Sequence, residues 1–507
     1  MASQPSTRSS SSSASTASTA TSTATQYLVH FVHRHLDFRK CDFDSSLIAQ
    51  NLSPSSIYAA SNFDMLRPFL ICTFPDDETA TKVAKSTVLI KHIYKVNSVG
   101  ETTEDCVAKS KPFTSSPTES WKIVFDTFAS KFTKSEQSKI MHQFIDLHKP
   151  SGPVKMKDPT TTMSIIHEYP VKISGAPMYP RFDHSGSPIP SNVDRPPLSV
   201  YFCSNFAAGG RDLVEKYTLK KRTYLGPTSM DNELSLIMCN AALTRPQSYV
   251  LDPFVGTGSI LFSASVLGGI CVGTDIDTRV LKGKGEGGVM RNFLDCNLPL
   301  PEIIRGDNSL HSRLFRSREV YDSIITDPPY GIRAGARKSG TTEDRRKPIP
   351  DEHRHDHIPQ TQVYPVGDVM ADLLTVAARG LKVGGRLVYL IPSLKDFEEG
   401  DLPTHECLEL EWVCYQPLGL LLGRRMVVMK KVKGWVEEKE EEWKEKCWPN
   451  GKESADKVEK LREQMAEAAK KERAEGEKQG WGGKLHKTKK QRKKEMRNEV
   501  ELKKFTD

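Results

Sequence analysis

Residues 250–260 read VLDPFVGTGSI, and this stretch decides the fold. An apolar run ends at Asp252, a turn with Gly256 and Gly258 follows, and a helix is predicted after the second glycine. Glycines let the backbone approach a ligand closely, and the first amides of a helix can receive a polar group. No Gly-Lys-Ser/Thr follows, which disfavours a phosphate-binding P-loop. The pattern predicts a strand, turn and helix that bind a cofactor.

Strand and helix patterns alternate around that stretch, from residue 201 to residue 432. Such alternation is typical of a parallel sheet with helices on both faces. A helix is predicted at residues 367–378, and the last two of seven predicted strands suit a hairpin. The predicted strands are residues 249–252, 270–275, 302–306, 321–326, 386–391, 408–416 and 425–430. The region is therefore predicted to be an α/β domain on a seven-stranded, Rossmann-like sheet.

Acidic residues end three successive predicted strands. Asp275 ends the strand after that of Asp252, where a carboxylate can take both ribose hydroxyls of a nucleoside. Asp307, in the sequence RGDNS, ends the third strand, where an acid can meet an adenine amino group. Ligands of open α/β sheets bind in the crevice at the carboxyl ends of the strands. We therefore expect these three acids to form a nucleoside cofactor site, with Asp277 capping the next helix or facing solvent.

Residues 324–338 read IITDPPYGIRAGARK and close the fourth predicted strand. Pro328 and Pro329 fix the backbone and present carbonyls that no helix can take up. The carboxylate of Asp327 can accept hydrogen bonds from an exocyclic amine and orient its lone pair at an electrophilic methyl group. The ring of Tyr330 offers a face on which a flat base can stack. The motif therefore predicts methylation of an amino group.

The whole of residues 201–432 resembles the class I, S-adenosylmethionine-dependent amino-methyltransferases, whose signature is Asp-Pro-Pro-Tyr. Within that group, three segments resemble the eukaryotic tRNA guanosine-10 N-methyltransferase catalytic subunits. They are KKRTYLGPTSMDNELSLIMCNAAL (220–243), DPFVGTGS (252–259) and DPPYGIRAGARK (327–338). The resemblance implies that S-adenosyl-L-methionine is the cofactor and tRNA the substrate. It also implies that Thr228, Ser229 and Met230 help line the cofactor pocket.

Two other functions remain open from the sequence. An adenine or glutamine amino-methyltransferase would share the fold, but those enzymes often carry Asn where this chain has Asp327. A carboxylate instead suits the paired ring and amino donors of guanine. A non-catalytic RNA-binding or scaffolding protein is the other alternative, and the intact acids at positions 252, 275, 307 and 327 argue against it.

The N-terminal region, residues 26–200, is similar to the RNA-binding part of the same family. VKMKDPTTTMSIIHEY (154–169) resembles the closing part of a THUMP domain, and STVLIKHIYKV (86–96) fits the family's N-terminal region. Alternation in SWKIVFDTFASKFT (120–133) is typical of a half-buried strand. We expect an α+β, THUMP-like region that grips the tRNA.

The two ends of the chain differ in composition from the middle. Sixteen of residues 1–25 are Ser or Thr, which predicts disorder. Residues 433–507 are rich in charge and predicted to be a basic tail, with eight basic residues and one acid in residues 484–498. The sequence contains no run of 18 or more apolar residues, which argues against a membrane span. Ten scattered cysteines suit reduced thiols, and we expect a cytoplasmic protein.

Basic residues follow the Asp-Pro-Pro-Tyr motif. Arg333, Arg337 and Lys338 are placed to bind RNA phosphate, although simple surface charges would read the same way. DEHRHDH (351–357) invites a metal-binding interpretation, but no apolar residues anchor it, and coordination needs ligands held rigidly. We expect a lid or solvated loop there, with no metal site.

The strand predicted at residues 302–306 lies at one edge of the sheet in the usual strand order of this fold. Pro299 and Pro301 precede it and cannot donate to a strand ladder. An open edge is either covered within the chain or available for strand addition. The family resemblance implies a small zinc-binding activator subunit that extends the sheet, so we expect a heterodimer through this edge. Cover by the basic tail or the N-terminal region is the alternative.

Overall fold

The structure is a computed structural model that describes residues 25–112, 117–171, 196–283, 287–330, 335–340, 360–394, 399–418, 422–448 and 467. The predictions for residues 1–24, for the histidine-containing loop at 351–357, for the basic stretch at 484–498 and for Arg333 lie outside these residues.

Strands and helices alternate along the described residues. The strands are β1 (Gln26–Phe31), β2 (Phe69–Thr73), β3 (Ile90–Gly100), β4 (Trp121–Phe128), β5 (Thr161–Glu168), β6 (Ser199–Ala208), β7 (Tyr249–Asp252), β8 (Ile270–Asp275), β9 (Glu302–Arg305), β10 (Tyr321–Thr326), β11 (Arg337–Ser339), β12 (Thr361–Val363), β13 (Leu381–Leu394), β14 (Leu408–Pro417) and β15 (Leu422–Lys431). The helices are α1 (Phe38–Ala49), α2 (Pro54–Ile57), α3 (Asp77–Ser86), α4 (Thr103–Ala108), α5 (Lys134–His148), α6 (Asp212–Lys216), α7 (Asn232–Ala241), α8 (Ser259–Val266), α9 (Thr278–Lys282), α10 (Val289–Asp295), α11 (His311–Leu314), α12 (Val366–Gly380) and α13 (Glu440–Glu445).

The second half of the chain forms the predicted seven-stranded sheet. Its strand order is β14-β15-β13-β10-β7-β8-β9. The five strands from β13 to β9 run parallel, and β15 turns back antiparallel between β13 and β14. This is the Rossmann-like class I methyltransferase arrangement, so the predicted fold class is confirmed. The carboxyl ends of β7, β8, β9 and β10 meet at one edge of the sheet, where the predicted acids stand.

Helices bury both faces of this sheet. On one face, α7, α8 and α10 contribute Leu234, Leu261 and Phe293 to a core in which these side chains are at most 1% exposed. On the other face, α12 packs on the strands through apolar residues spaced three and four apart. Leu373 and Leu374 follow Met370 at these spacings. Full burial of one such side chain stabilises the fold by about 1.5–3 kcal/mol. The two packed faces fix the strand ends that form the site.

The N-terminal sheet extends further along the chain than the predicted boundary. Its order is β2-β1-β3-β6-β5-β4, with β6 antiparallel to both β3 and β5. β6 therefore crosses the boundary predicted between residues 200 and 201 and continues to Ala208. The reason is packing, because Val200, Phe202 and Cys203 are fully buried in the N-terminal sheet.

Residues 433–448, which were predicted to begin the charged tail, pack against the second domain. Trp443 of α13 is 5% exposed beside Cys407 and Ala378, and its indole Nε1 donates to Glu406 at 2.8 Å. Two tryptophans in this charged segment, Trp435 and Trp443, make its apolar contact with the domain. The high charge of the segment had suggested a solvated tail. All ten cysteines are unbridged. No helix among the described residues is long and apolar enough to cross a membrane.

Candidate active site

A cavity of about 410 Å³ opens at the carboxyl ends of β7, β8, β9 and β10. Most of the residues predicted for the site line it, and they come from separate parts of the chain. These are Thr228, Met230, Asp252, Gly256, Asp275, Asp327, Pro328, Pro329, Tyr330 and Arg337. The fold thus brings the predicted cofactor residues and the predicted catalytic motif to one cavity.

The glycine turn after β7 needs its glycines for two reasons. Gly256 has a φ of +51° and Gly258 a φ of +77°, a region that side chains rarely adopt. A Cβ on Gly258 would also lie 2.5 Å from Cγ1 of Val289, so α10 packs against the bare backbone there. Gly256 lines the cavity, whereas Gly258 shapes the turn behind it and begins α8.

Asp275 is held at the rim of the turn by backbone amides. The amide of Gly256 donates to its Oδ2 at 2.9 Å, and the amide of Asp277 donates to its Oδ1 at 2.8 Å. Burial raises the pKa of Asp275 above its usual range. Asp277 caps α9 by accepting from the amide of Arg279, as the sequence indicated. The Asp275 carboxylate is therefore fixed facing the cavity where a ribose can reach it.

Asp252 is the most buried of these acids, at 1% exposure. The hydroxyl of Thr326 donates to its Oδ1 at 2.7 Å, and the amide of Phe254 donates at 3.0 Å. Burial, with a smaller contribution from the charges of Asp275 and Asp327, raises the pKa of Asp252 to about 7. Because Thr326 precedes the catalytic motif, Asp252 ties the glycine turn to the end of β10.

The segment 226–230 crosses above the glycine turn. Thr228 and Met230 line the cavity, while Ser229 contacts the turn from behind. The Ser229 hydroxyl lies 2.9 Å from that of Thr257 and accepts from the amide of Gly226 at 2.9 Å. Ser229 therefore holds this segment on the turn and does not itself line the cavity.

Asp307 takes a different place from the predicted one. Its Oδ1 accepts from the amide and hydroxyl of Ser309, and its Oδ2 accepts from the amide of Ser339 at 2.5 Å. It anchors the β11–β12 hairpin and does not line the cavity, whereas the neighbouring Asn308 does. Asn308 is 6% exposed and its amide bonds to the carbonyl of Pro253. The RGDNS sequence marked the right strand end but not which side chain faces inward.

The catalytic motif lies at the end of β10, as predicted. Tyr330 packs against the core around α12, and its hydroxyl makes no hydrogen bond to any described residue. Burial raises the pKa of Tyr330 well above its usual range, and the charge of Asp327 adds to this. The hydroxyl therefore stays protonated, and the ring offers an apolar surface beside the carboxylate.

The wall opposite the cofactor turn was not predicted. It consists of Leu390 and Pro392 from β13 and Gly423 and Arg424 from β15. Pro392 and Arg424 are direct partners in the antiparallel pairing of these strands. Nε of Arg424 donates to Oε1 of Gln416 at 2.5 Å. No local sequence motif marks these positions. They could have been predicted only from the register in which β15 pairs with β13.

The basic residues after the motif divide. Arg337 lines the cavity, and its guanidinium donates to the hydroxyl and carbonyl of Thr361. Lys338 lies away from it, with its Nζ 3.2 Å from Asp368 and above the ring of Tyr364. Across the described residues, no group of three or more His, Cys, Asp or Glu is placed to hold a metal ion.

Comparisons with known proteins agree with this geometry. The family model described as the Tmrp11 THUMP N-terminal domain matches residues 25–181. The model described as the RMKL-like methyltransferase domain matches residues 220–342, which include the glycine turn and the Asp-Pro-Pro-Tyr motif. Among solved structures, TrmN from Thermus thermophilus aligns at a TM-score of 0.40 and 16% identity over 80% of this chain and 100% of that chain.

Named relatives span both domains. The tRNA (guanine(10)-N(2))-methyltransferase TRMT11 of Dictyostelium discoideum is 36% identical over 431 residues, which are 80% of this chain and 82% of that protein. The protein of the same name from Mus musculus is 32% identical over 80% of this chain and 88% of that protein. The chain therefore belongs to the family of the tRNA (guanine(10)-N(2))-methyltransferase TRMT11 proteins.

Proposed function

We propose that this chain transfers a methyl group from S-adenosyl-L-methionine to the exocyclic amine of a guanosine in tRNA, at position 10 as in its named relatives. One observation carries the proposal. The Asp-Pro-Pro-Tyr motif and the glycine turn line the same cavity, so an amine held by Asp327 faces whatever the turn binds. That arrangement suits direct transfer between two bound partners.

The cavity fits the proposed cofactor. A nucleoside with an amino-acid end needs a carboxylate for its ribose, a turn of close backbone and an apolar surface for its base. Asp275, Gly256 and Ile276 supply these three features at adjoining points of the cavity. When bound, the sulfonium of S-adenosylmethionine supplies the electrophilic methyl group.

The residues of the motif divide the remaining work. The carboxylate of Asp327 accepts hydrogen bonds from the guanine amine and ring N–H, which orients the nitrogen lone pair. Tyr330 stacks the base after its extrusion from the RNA. Pro328 and Pro329 hold the backbone so that both groups keep their positions. Leu390 and Pro392 close the opposite wall and exclude water.

The function is tested by mass mapping of nucleosides after tRNA lacking modifications is incubated with labelled S-adenosylmethionine and the chain co-expressed with the activator subunit proposed below. We expect label on the amine of one guanosine, at position 10. Label on adenosine, or on glutamine of a protein substrate, would support the rival amino-methyltransferases instead. Cofactor binding without transfer to any tRNA would support a non-catalytic RNA-binding protein.

The N-terminal region is proposed to dock the tRNA, and its exposed lysines suit that role. Lys155 and Lys157 lie in the exposed strand-leading segment before β5, close to Lys122, whose Nζ donates to the carbonyl of Met156. Each lysine that contacts a phosphate contributes about one unit to the salt dependence of binding. With tRNA as substrate and ten unbridged cysteines, we also propose a cytoplasmic location.

Changing Lys155 and Lys157 to Glu should therefore raise the KM for tRNA and flatten its dependence on salt. The affinity for S-adenosylmethionine should stay unchanged, because the cavity lies in the other domain. Steady-state kinetics at several salt concentrations measure this. The control replaces Lys433 and Lys446, exposed lysines of the C-terminal segment, with Glu. An equal effect of both pairs would show that net charge matters and the location does not.

A protein partner is proposed at the free edge of the methyltransferase sheet. The order of the sheet places β9 at its edge, and β9 is short and largely exposed. Five apolar side chains on β9 or in the segments before and after it are at least 37% exposed: Met290, Leu294, Leu300, Ile304 and Leu310. An exposed strand edge with apolar neighbours invites strand addition. The family resemblance implies that the partner is a small zinc-binding activator subunit, which would extend the sheet.

Ile304→Lys should prevent co-purification of that subunit and lower tRNA methylation accordingly. Ile303 is a poorer site for this test, because its side chain packs against the core and a lysine there would disturb the fold. Ile304 is 45% exposed, so a change there alters the edge alone. Val383→Lys, at a 56% exposed position on another strand, is the matched control. Full activity of the purified single chain would rule the partner out.

A further inference from the structure

Two cationic side chains line the described part of the cavity, and they differ in burial. Arg337 is exposed, and its guanidinium donates to the hydroxyl and carbonyl of Thr361. Arg424 is half-buried in the wall opposite the glycine turn, beside Pro392, its partner in the strand pairing. The transfer proposed above gives Arg424 no part, so a cation at this place in the wall has another role.

A row of side chains holds the guanidinium of Arg424 in one orientation. Its Nε donates to Oε1 of Gln416 at 2.5 Å, and these two residues are direct partners where β14 pairs with β15. The amide nitrogen of Gln416 lies in turn 3.3 Å from Nδ1 of His35, in the N-terminal region. Next to Arg424, the ring of Tyr415 covers Gly423 so closely that any Cβ there would collide with it. The planar group is therefore fixed before a substrate enters, which suits recognition through paired hydrogen bonds.

Arg424 also lies close to the ring on which the base is proposed to stack. The pKa of Tyr330 is raised mainly by burial, and the nearby charges of Asp327 and Arg424 act on it in opposite directions. A base stacked on this ring would lie within reach of a carboxylate and of a guanidinium. Pro392, in the same wall as Arg424, is apolar, and such a surface suits a base better than a solvated phosphate.

Guanine is the base whose edges match these two groups. Its amine and its ring N–H are donors, and Asp327 is proposed to accept from both. Its O6 and N7, along the next edge of the ring, are acceptors, and arginine most often recognises guanine by donating to this pair. Adenine carries an amine in place of O6, so two donors would meet at the guanidinium.

We infer that Arg424 selects guanine by donating to its O6 and N7, with Gln416 and His35 as positioning residues that fix the guanidinium. The inference rests on the proposed function and extends it from the reacting amine to the neighbouring edge of the base. It also gives a role to the wall that no local motif marks. Because His35 belongs to the N-terminal region, the region proposed to dock the tRNA also helps to hold the residue that reads the base.

The test uses tRNA in which the target guanosine is replaced by 7-deazaguanosine. This base lacks N7 but keeps O6, the ring N–H and the amine that receives the methyl group. The full-length chain, co-expressed with the activator subunit proposed above, is assayed for kcat/KM on both tRNAs. For the unchanged chain we expect kcat/KM to be about tenfold lower on the analogue, the usual effect of losing one hydrogen bond to a charged group.

Arg424→Gln should lower kcat/KM for the guanosine tRNA by about ten- to hundredfold, the range for a paired contact with guanine. The analogue should then react within about twofold of guanosine, because the group that senses N7 is gone. Affinity for S-adenosylmethionine should also stay within about twofold, which shows that the domain is folded. Arg424→Lys should recover part of the loss. Gln416→Leu, which removes only the acceptor for Nε, should weaken the discrimination in smaller measure and answers the question if Arg424→Gln does not fold.

Arg245→Gln is the matched control, because Arg245 is exposed in the loop before β7, at the amino ends of the parallel strands. Both rates and their ratio should be unchanged in it. Equal rates of the unchanged chain on the two tRNAs would overturn the inference. So would an analogue penalty that persists in Arg424→Gln, and a flatter salt dependence in that variant would then indicate a phosphate contact. Failure of the unchanged chain to methylate the guanosine tRNA would instead contradict the proposed function.

Discussion

Asp327→Ala should lower the rate of methyl transfer by about a thousandfold or more while the affinity for S-adenosylmethionine stays within a few-fold. The expected loss is large because the carboxylate acts on charge that develops on the amine in the transition state, and removal of one such group costs about 10²–10³ in rate. Loss of the ordering of the base adds to it. The proposed cofactor residues, Gly256 and Asp275, lie in another part of the cavity lining and are bonded to each other.

Asp275→Ala should give the opposite result. It removes a carboxylate that faces the proposed ribose site, so cofactor affinity should fall by about 1–3 kcal/mol. Asp322→Asn is a matched control, since Asp322 lies at the other end of β10 and accepts from the amide of Tyr249. Single-turnover transfer to tRNA and cofactor titration measure the two quantities. Equal loss of cofactor affinity in the Asp327 and Asp275 variants would falsify this division of roles.

The sequence predicted the site well where a motif sits at the end of a strand. Five strands were placed to within one residue, and in four of them, among them β7 and β10, acids or glycines mark the carboxyl end. It could not place residues whose role depends on pairing between distant strands. Arg424 reaches the cavity only because β15 pairs with β13. The sequence near Arg424 contains no motif that would predict this contact.

Domain boundaries were harder to predict for the same reason. The strand at Ser199–Ala208 follows a stretch rich in Pro and precedes the methyltransferase motifs, so its local context suggests that it belongs to the second sheet. Its apolar residues are buried against β3 and β5, which lie far back in the sequence. Asp307 illustrates the same limit at smaller scale, since its carboxylate accepts from the amide of Ser339, which lies 32 residues later along the chain.

The two domains share one core, and this bears on how a tRNA site is chosen. Phe38 and Cys41 of α1 pack in the same cluster as Leu234 and Ile237 of α7. Asp42, also on α1, is fully buried and accepts from the amide of Asn240 at 2.9 Å. Removing the N-terminal region at residue 201 would therefore expose the core of the catalytic domain as well as remove RNA contacts. The packing of α1 against α7 is therefore better tested by a substitution in the intact chain.

Arg386→Ala should destabilise the whole chain by about 3–5 kcal/mol, the usual cost of breaking a buried ion pair. Arg386 is 3% exposed and pairs with Glu411 at 2.6 Å. It also donates to the carbonyl of Ala241 at 2.8 Å and to the hydroxyl of Ser45, on α1, at 3.2 Å. Removing the guanidinium leaves a carbonyl and a carboxylate without their donor, and it removes one of the contacts that hold α1 against the second domain.

Urea unfolding followed by both tryptophan fluorescence and circular dichroism measures this loss, with Arg291→Ala as control. Arg291 makes an exposed pair with Asp295, and its removal should cost less than about 1 kcal/mol. The unchanged chain should unfold in one transition by both probes, because α1 belongs to the core that α7 completes. Separate transitions for the two domains would contradict a shared core. If the joint holds as expected, a tRNA docked on the N-terminal region meets the cavity at a fixed distance, and Arg386→Ala should lower tRNA methylation more than cofactor binding.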